Sequence, residues 1–238
     1  MKTGMIIGLT ILIIGLVLVP AVAAGDGYTF ELRETYRFIE KTDNWQIDVS
    51  VPELSGMEDI TAQADLNAHF IEMKDEIIKE YQENVKFGEQ SLAEGNTPHF
   101  SCQYYWDVIT DTEDLFVFRT SWFFGAGSSA TLNEYWNLDK KTGRLLDFDA
   151  DVISSPEQLA LISDQIYTQI LDVNESEEGV FWCDKDVLDK QLGRVGFLNH
   201  WYYNPDGDLV ITFDKYEIGP GVMGSPEFTV STGTAAAE

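Results

Sequence analysis

Between Asn44 and Ala93 the hydrophobic period of the chain switches once, from two to between three and four, and this constrains the fold more than any other feature. Trp45, Ile47, Val49 and Val51 alternate with Gln46, Asp48 and Ser50, the pattern of a half-buried strand, and Pro52 is expected to end it. From Glu58 onward, Ile60, Ala64, Asn67, Ile71, Ile78, Tyr81 and Val85 recur at spacings of three, four or seven, with Phe70 and Ile77 beside them. That is one face of a long amphipathic helix reaching Ala93, with Glu58, Asp59, Asp65, Glu72, Lys79 and Glu83 on the other. Gly95-Asn96-Thr97-Pro98 stops it. Asn67 falls on the buried stripe. An amide there must find partners, so it is expected to bond the backbone of a neighbouring strand or loop.

Strands flank this helix. Tyr28 to Glu40 is β-prone. Phe100, Cys102, Tyr104, Trp106 and Val108 alternate, which places Cys102 on the apolar side. Leu115 to Phe124 is almost continuously apolar, as at the centre of a sheet, and Thr131 to Asp139 follows the small-residue loop Gly125-Ala126-Gly127-Ser128-Ser129. Asp111-Thr112-Glu113-Asp114 and Asp139-Lys140-Lys141-Thr142-Gly143 read as turns, so an antiparallel meander is the simplest pairing.

The second half opens with a helix whose start is written locally. Ser155 is a natural N-cap, Pro156 suits the first helical position, and Gln158 can complete a capping box. Leu159, Ile162, Ile166 and Ile170 form its buried stripe. Asn174 to Gly179 reads as an acidic loop carrying the glycosylation sequon Asn174-Glu175-Ser176, and Asp184 to Leu192 as a short helix. Phe197 to Tyr203 and Leu209 to Phe213 flank the turn Asn204-Pro205-Asp206-Gly207-Asp208, and Glu227 to Val230 is a last strand. The fold class is α+β: antiparallel sheet or sheets packed by one long and one or two shorter helices.

Lys2 precedes an apolar run from Met5 to Val19, followed by Pro20 and the small residues Ala21-Val22-Ala23-Ala24-Gly25. This is the order of a secretory signal. An uncleaved N-terminal anchor is the alternative, because Met5 to Ala24 reaches the length of a membrane span. Either way the protein is expected to act outside the cytoplasm. Its 41 acidic and 15 basic residues give a net charge of −26. Such a surface repels nucleic acid and anionic lipid, and suits high solubility, a cationic partner or diffuse divalent-cation binding. The two cysteines, Cys102 and Cys183, could form one disulfide in an oxidising compartment, or remain two buried thiols.

No catalytic constellation emerges. His69, His99 and His200 lie far apart in sequence and form no H-x-x-x-H spacing, and each reads as structural. The cysteines have no nearby zinc partners. Gly125-Ala126-Gly127-Ser128-Ser129 is no nucleophile elbow, and no phosphate-binding glycine loop is present. Asn204 to Asp208 lacks the later glutamate of a calcium loop. No catalytic residue, cofactor or metal ligand is assigned.

The segment from His200 to Val230 has an aromatic strand, the turn Asp206-Gly207, an apolar strand ending in Phe213, then Tyr216-Glu217-Ile218-Gly219-Pro220, Gly224 and Glu227-Phe228. In that order these elements resemble the end of the extracytoplasmic domain of RsiV-type anti-sigma factors. Upstream, Val51-Pro52-Glu53-Leu54, Leu66-Asn67 and Asn137-Leu138-Asp139-Lys140-Lys141-Thr142-Gly143-Arg144 resemble the domain that precedes it and that also occurs in PdaC-type peptidoglycan deacetylases. There the loop between two strands is often Gly-Gly-Ala-His; here it is Gly125-Ala126-Gly127, without the histidine. Between the signal or anchor at 1–24 and a tail at 232–238 whose composition reads as disordered, the resemblance implies a PdaC-type domain at 28–150 and an RsiV-like domain at 151–231. It marks Asn67, Asp206, Gly207, Phe213, Tyr216, Glu217, Pro220, Gly224, Glu227 and Phe228 as signature residues with structural roles. It implies an exported, non-enzymatic recognition or sensor module whose partner is a basic extracellular protein, lysozyme-like, or a cell-wall component. Nucleic acid is excluded, and membrane contact is confined to the N-terminal segment. A structural envelope protein and a wall-active enzyme are the alternatives.

Overall fold

The computed structural model describes residues 27–176, 180–182 and 184–231. The expected signal segment 1–24, Cys183 and the tail 232–238 lie outside them. Six strands, β1 (Glu31–Lys41), β2 (Trp45–Ser55), β3 (Phe100–Asp111), β4 (Leu115–Ala126), β5 (Ser128–Asp139) and β6 (Arg144–Leu145), form one sheet in that order. β7 (Trp201–Tyr203), β8 (Leu209–Thr212) and β9 (Glu227–Val230) form a second, antiparallel sheet. The helices are α1 (Ile60–Ala93), α2 (Pro156–Ser176) and α3 (Lys185–Leu192).

The α+β class follows as expected, but the first sheet is mixed rather than antiparallel. β2 and β3 run parallel, from Trp45 opposite Phe100 to Val49 opposite Tyr104. The long helix α1 lies between them in sequence and supplies the crossover that parallel neighbours require. β3 to β6 form the antiparallel meander. Pro52 does not end β2, which continues to Ser55. β1 shifts register between Glu34 and Tyr36, opposite Pro52 and Val51, so a bulge absorbs the missing N–H. β3 pairs only as far as Val49, so no second ladder needs a donor from Pro52.

Asp59 caps α1 by accepting from the N–H of Thr61 at 2.8 Å and of Ala62 at 3.1 Å. Its buried residues are Leu66, Phe70, Ile77, Tyr81 and Gly88. The stripe therefore sits one position N-terminal to the expected one along most of the helix, and Ile60 is 76% and Ile71 41% exposed. The aromatic pairings explain the rotation. Phe70 packs edge-on against Phe118 and Trp136, and Gly88 leaves room for the Trp45 ring. Asn67 behaves as expected: Nδ2 donates to the Leu54 carbonyl at 2.9 Å and Oδ1 accepts the Leu54 N–H at 2.8 Å.

In the second half, Ser155 Oγ accepts the Gln158 N–H at 3.3 Å, while Gln158 Oε1 reaches back to the N–H of Ser154 at 2.7 Å, one residue before a standard capping box. α2 runs on through the sequon to Ser176. There the Asn174 amide is already engaged, donating to the Phe181 carbonyl at 3.0 Å and accepting the Phe181 N–H at 2.7 Å. Ile162, Ile166 and Ile170 pack with Leu188, Leu192, Trp201, Ile211, Phe213 and Phe228 into a core separate from that beneath α1.

Polar bonds join the two sheets. Tyr135 N–H donates to the Asn199 carbonyl at 2.9 Å. Asn137, 1% exposed, donates from Nδ2 to the Trp201 carbonyl and accepts the Tyr203 N–H, each at 3.0 Å. Thr110 Oγ1 donates to the Tyr203 carbonyl at 2.8 Å. The rings of Tyr135 and Tyr202 stack with centroids 4.6 Å apart.

Candidate functional site

The signature residues gather on the second sheet and the loop between β8 and β9. Asp206 and Gly207 close the β7–β8 turn, where Asn204 Oδ1 accepts the N–H groups of Asp206 and Asp208 and Gly207 has φ +85°. Phe213 and Phe228 are core. Glu227 is a junction: its carboxylate accepts from the Tyr135 hydroxyl at 3.2 Å and the Tyr202 hydroxyl at 3.0 Å, one tyrosine from each sheet. Burial, then the charge of Glu227, pushes the Tyr135 phenol well above its usual range. Asn67 is remote from these residues, on α1.

β8 ends at Thr212, one residue before Phe213, and the chain turns. Asp214 N–H donates to Glu217 Oε2 at 2.8 Å, and Glu217 N–H to the Asp214 carbonyl at 3.1 Å. Tyr216 takes φ +77°, unusual for a residue with a side chain. Its ring lies over Gly221, where a Cβ would come within 2.4 Å of it. Gly224 closes the loop at φ 68° and ψ −134°, a conformation open essentially to glycine alone.

This turn brings Asp214 and Glu217 to His200. The backbone of His200 is held on both sides, by N–H donation to Val195 and by acceptance from Thr212. Its side chain is 7% exposed. Nε2 lies 3.6 Å from Asp214 Oδ2 and Nδ1 lies 3.9 Å from Glu217 Oε2. Burial lowers the His200 pKa. Burial, and then the neighbouring Glu217, pushes the Asp214 carboxyl up to about 7. Arg194 Nη1 lies 3.5 Å from Glu217 Oε1. From sequence, His200 reads as structural and no metal ligand is assigned. No local pattern marks this cluster, because the spacing from 200 to 214 becomes proximity only once β7 and β8 pair.

The other histidines differ. His69, on α1, is half-buried with Nε2 3.0 Å from Glu134 on β5 and its ring edge-on to Trp136. The bond to Glu134 holds its pKa above the usual histidine value. His99 borders an open depression of about 310 Å³ with Trp45, Phe100, Gly125 and Gly127. Among the described residues Cys102 has no disulfide partner, Cys183 lying outside them; it is 2% exposed, and burial pushes its pKa up to about 11.

Large apolar side chains stand in solvent on three segments of the second half: Trp182 (61% exposed), Phe197 (88%), and Tyr216 (58%) with Val222 (90%). The segments adjoin. Trp182 N–H donates to the Ile218 carbonyl at 3.2 Å, and Arg194 reaches Glu217.

Residues 150–233 match the family described as "Protein of unknown function (DUF3298)". Over 196 residues, 82% of this chain, the sequence is 29% identical to the anti-sigma-V factor RsiV of Bacillus subtilis strain 168, and it spans 65% of that protein's length. A crystal structure of a DUF3298 family member from Bacteroides fragilis superposes with a TM-score of 0.56 at 16% identity, covering 85% of this chain and 90% of that one, which establishes likeness of fold. Residues 150–233 are thus RsiV-like and carry the match to the DUF3298 family.

Proposed function

We propose that the chain is an extracytoplasmic, non-enzymatic recognition module that takes a basic protein, such as a lysozyme-like one, on the loop end formed by residues 180–182, 194–199 and 214–224. The carrying observation is the group of exposed apolar side chains there, Phe197, Val222, Trp182 and Tyr216, on a chain of net charge −26. Apolar residues exposed to this degree on adjoining segments mark interaction surfaces. The surrounding field would steer a cationic partner toward them, and the apolar contacts would hold it. The likeness to an anti-sigma factor supports a sensing role. The division into a PdaC-type domain at 28–150 and an RsiV-like domain at 151–231 belongs to the same proposal, as does export by the N-terminal segment.

The test is titration calorimetry of the chain against egg-white lysozyme and a second basic protein, at low and high salt. Saturable binding that weakens with salt is expected, and Phe197→Ala or Val222→Asp should weaken it at least tenfold with an unchanged melting temperature. Absence of binding at every ionic strength sinks the reading.

A further inference from the structure

We propose that His200, Asp214 and Glu217 form a binding site for one divalent cation of the borderline class, zinc in preference to calcium. One ligand atom from each of the three residues lies within 4.8 Å of the other two. The His200 side chain is 7% exposed, yet its ring nitrogens make no hydrogen bond among the described residues; their neighbours are the carboxylates, 3.6 and 3.9 Å away.

One ion can take only one of the two ring nitrogens, so the separation at Nε2 decides. A histidine paired directly with a carboxylate closes to hydrogen-bond distance, as His69 does with Glu134 at 3.0 Å in the same molecule. Two ligands each about 2.1 Å from a tetrahedral zinc ion stand about 3.4 Å apart. The 3.6 Å between His200 Nε2 and Asp214 Oδ2 is too long for the first arrangement and close to the second.

The chain holds the three groups where they are. His200 is pinned by its backbone bonds to Val195 and Thr212, and Asp214 and Glu217 are locked to each other across their turn. Two carboxylates beside a buried imidazole leave negative charge that Arg194 offsets at one oxygen of Glu217 only. Glu134, on the adjoining strand β5, adds to it. A divalent ion would neutralise the pair. A nitrogen ligand with two carboxylates matches zinc, whereas calcium takes six to eight oxygens. The Asp214 and Glu217 side chains keep 24% and 16% exposure, so an ion can enter and waters can complete its shell.

The experiment treats the full chain with a chelator and titrates it with zinc chloride in about 0.3 M sodium chloride, where diffuse attraction to the acidic surface is screened. One equivalent should bind saturably and shift the imidazole proton resonances of His200. Asp214→Asn, which keeps the side-chain shape, and His200→Gln should each weaken binding at least tenfold, while Asp206→Asn in the exposed turn leaves it unchanged. Calcium at equal concentration should not compete. If His200→Gln does not fold, Asp214→Asn and the His200 resonance decide alone. Non-saturable uptake, equal affinity in wild type and Asp214→Asn, or a His200 resonance unmoved by zinc overturns the proposal.

Discussion

Asn137 Oδ1 accepts the backbone N–H of Tyr203 at 3.0 Å, so a side chain of the first sheet stands in for the missing neighbour of an edge strand in the second. Its Nδ2 serves the Trp201 carbonyl at the same time. Asn137→Ala strands both backbone groups at a buried junction, and each unmet group costs about 1–3 kcal/mol. A loss of about 2–4 kcal/mol is expected in urea denaturation. A loss below about 0.5 kcal/mol, the level of an ordinary surface change, would show that the seam does not hold the sheets.

The His69–Glu134 pair should give stability a pH dependence near neutrality. The folded-state pKa of His69 is raised, first by the bond to Glu134. Its contribution is therefore fully present below the unfolded value of about 6.5 and is lost as pH rises through the folded value. NMR titration should place His69 above that reference, and Glu134→Gln should lower it. A His69 pKa unchanged by that substitution would refute the pairing.

Two glycines separate conformational from steric cost. Gly56 has φ +102° and would bring a Cβ within 2.0 Å of the Thr29 carbonyl oxygen, while Gly95 has φ +91° with nothing within 4 Å. Gly95→Ala should cost about 1–2 kcal/mol, the left-handed penalty alone. Gly56→Ala should cost clearly more, because backbone must move as well. Equal losses in thermal denaturation would contradict this geometry.

Glu227 should set the titration of two phenols. Burial first, and then the charge of Glu227, raises the pKa of Tyr135 and Tyr202, and Glu227→Gln removes the second contribution. Spectrophotometric titration should then show the last-titrating tyrosines ionising at lower pH than in wild type. An unchanged curve would place Glu227 outside the pair.

Cys102 should be silent to a thiol reagent in the folded chain and react on unfolding, because it is 2% exposed and burial holds its pKa up to about 11. Rapid labelling of Cys102 under native conditions, read by mass spectrometry, would contradict its burial.

Features written in adjacent residues were legible in the sequence. Ser155, Pro156 and Gln158 announce the start of α2, and Asp206-Gly207 announces a turn, because caps and turns are made by neighbours. Asn67 was legible from its polarity on an apolar stripe. The exact face of α1 was not, since Ile71 and Phe70 differ by one position and only the partners Phe118 and Trp136 decide between them. Pro52 misled because its cost is absorbed by β1, about 17 residues away, through a bulge that no local pattern records. The His200, Asp214 and Glu217 cluster was hidden for the same reason: strand pairing and the positive φ of Tyr216 create it.

The parallel pairing of β2 with β3 also bears on the order in which the molecule assembles. β3, β4 and β5 are joined by tight turns and can close through contacts local in sequence, as can the β1–β2 hairpin. Trp45 and Phe100 meet only after the whole of α1 has been laid across the gap, and such distant closures come late. The hairpin and α1 thus form one detachable flap, and a partly opened molecule would shed β1, β2 and α1 together while the meander persists. Hydrogen exchange should release the amides of these three elements as one cooperative unit, ahead of β4.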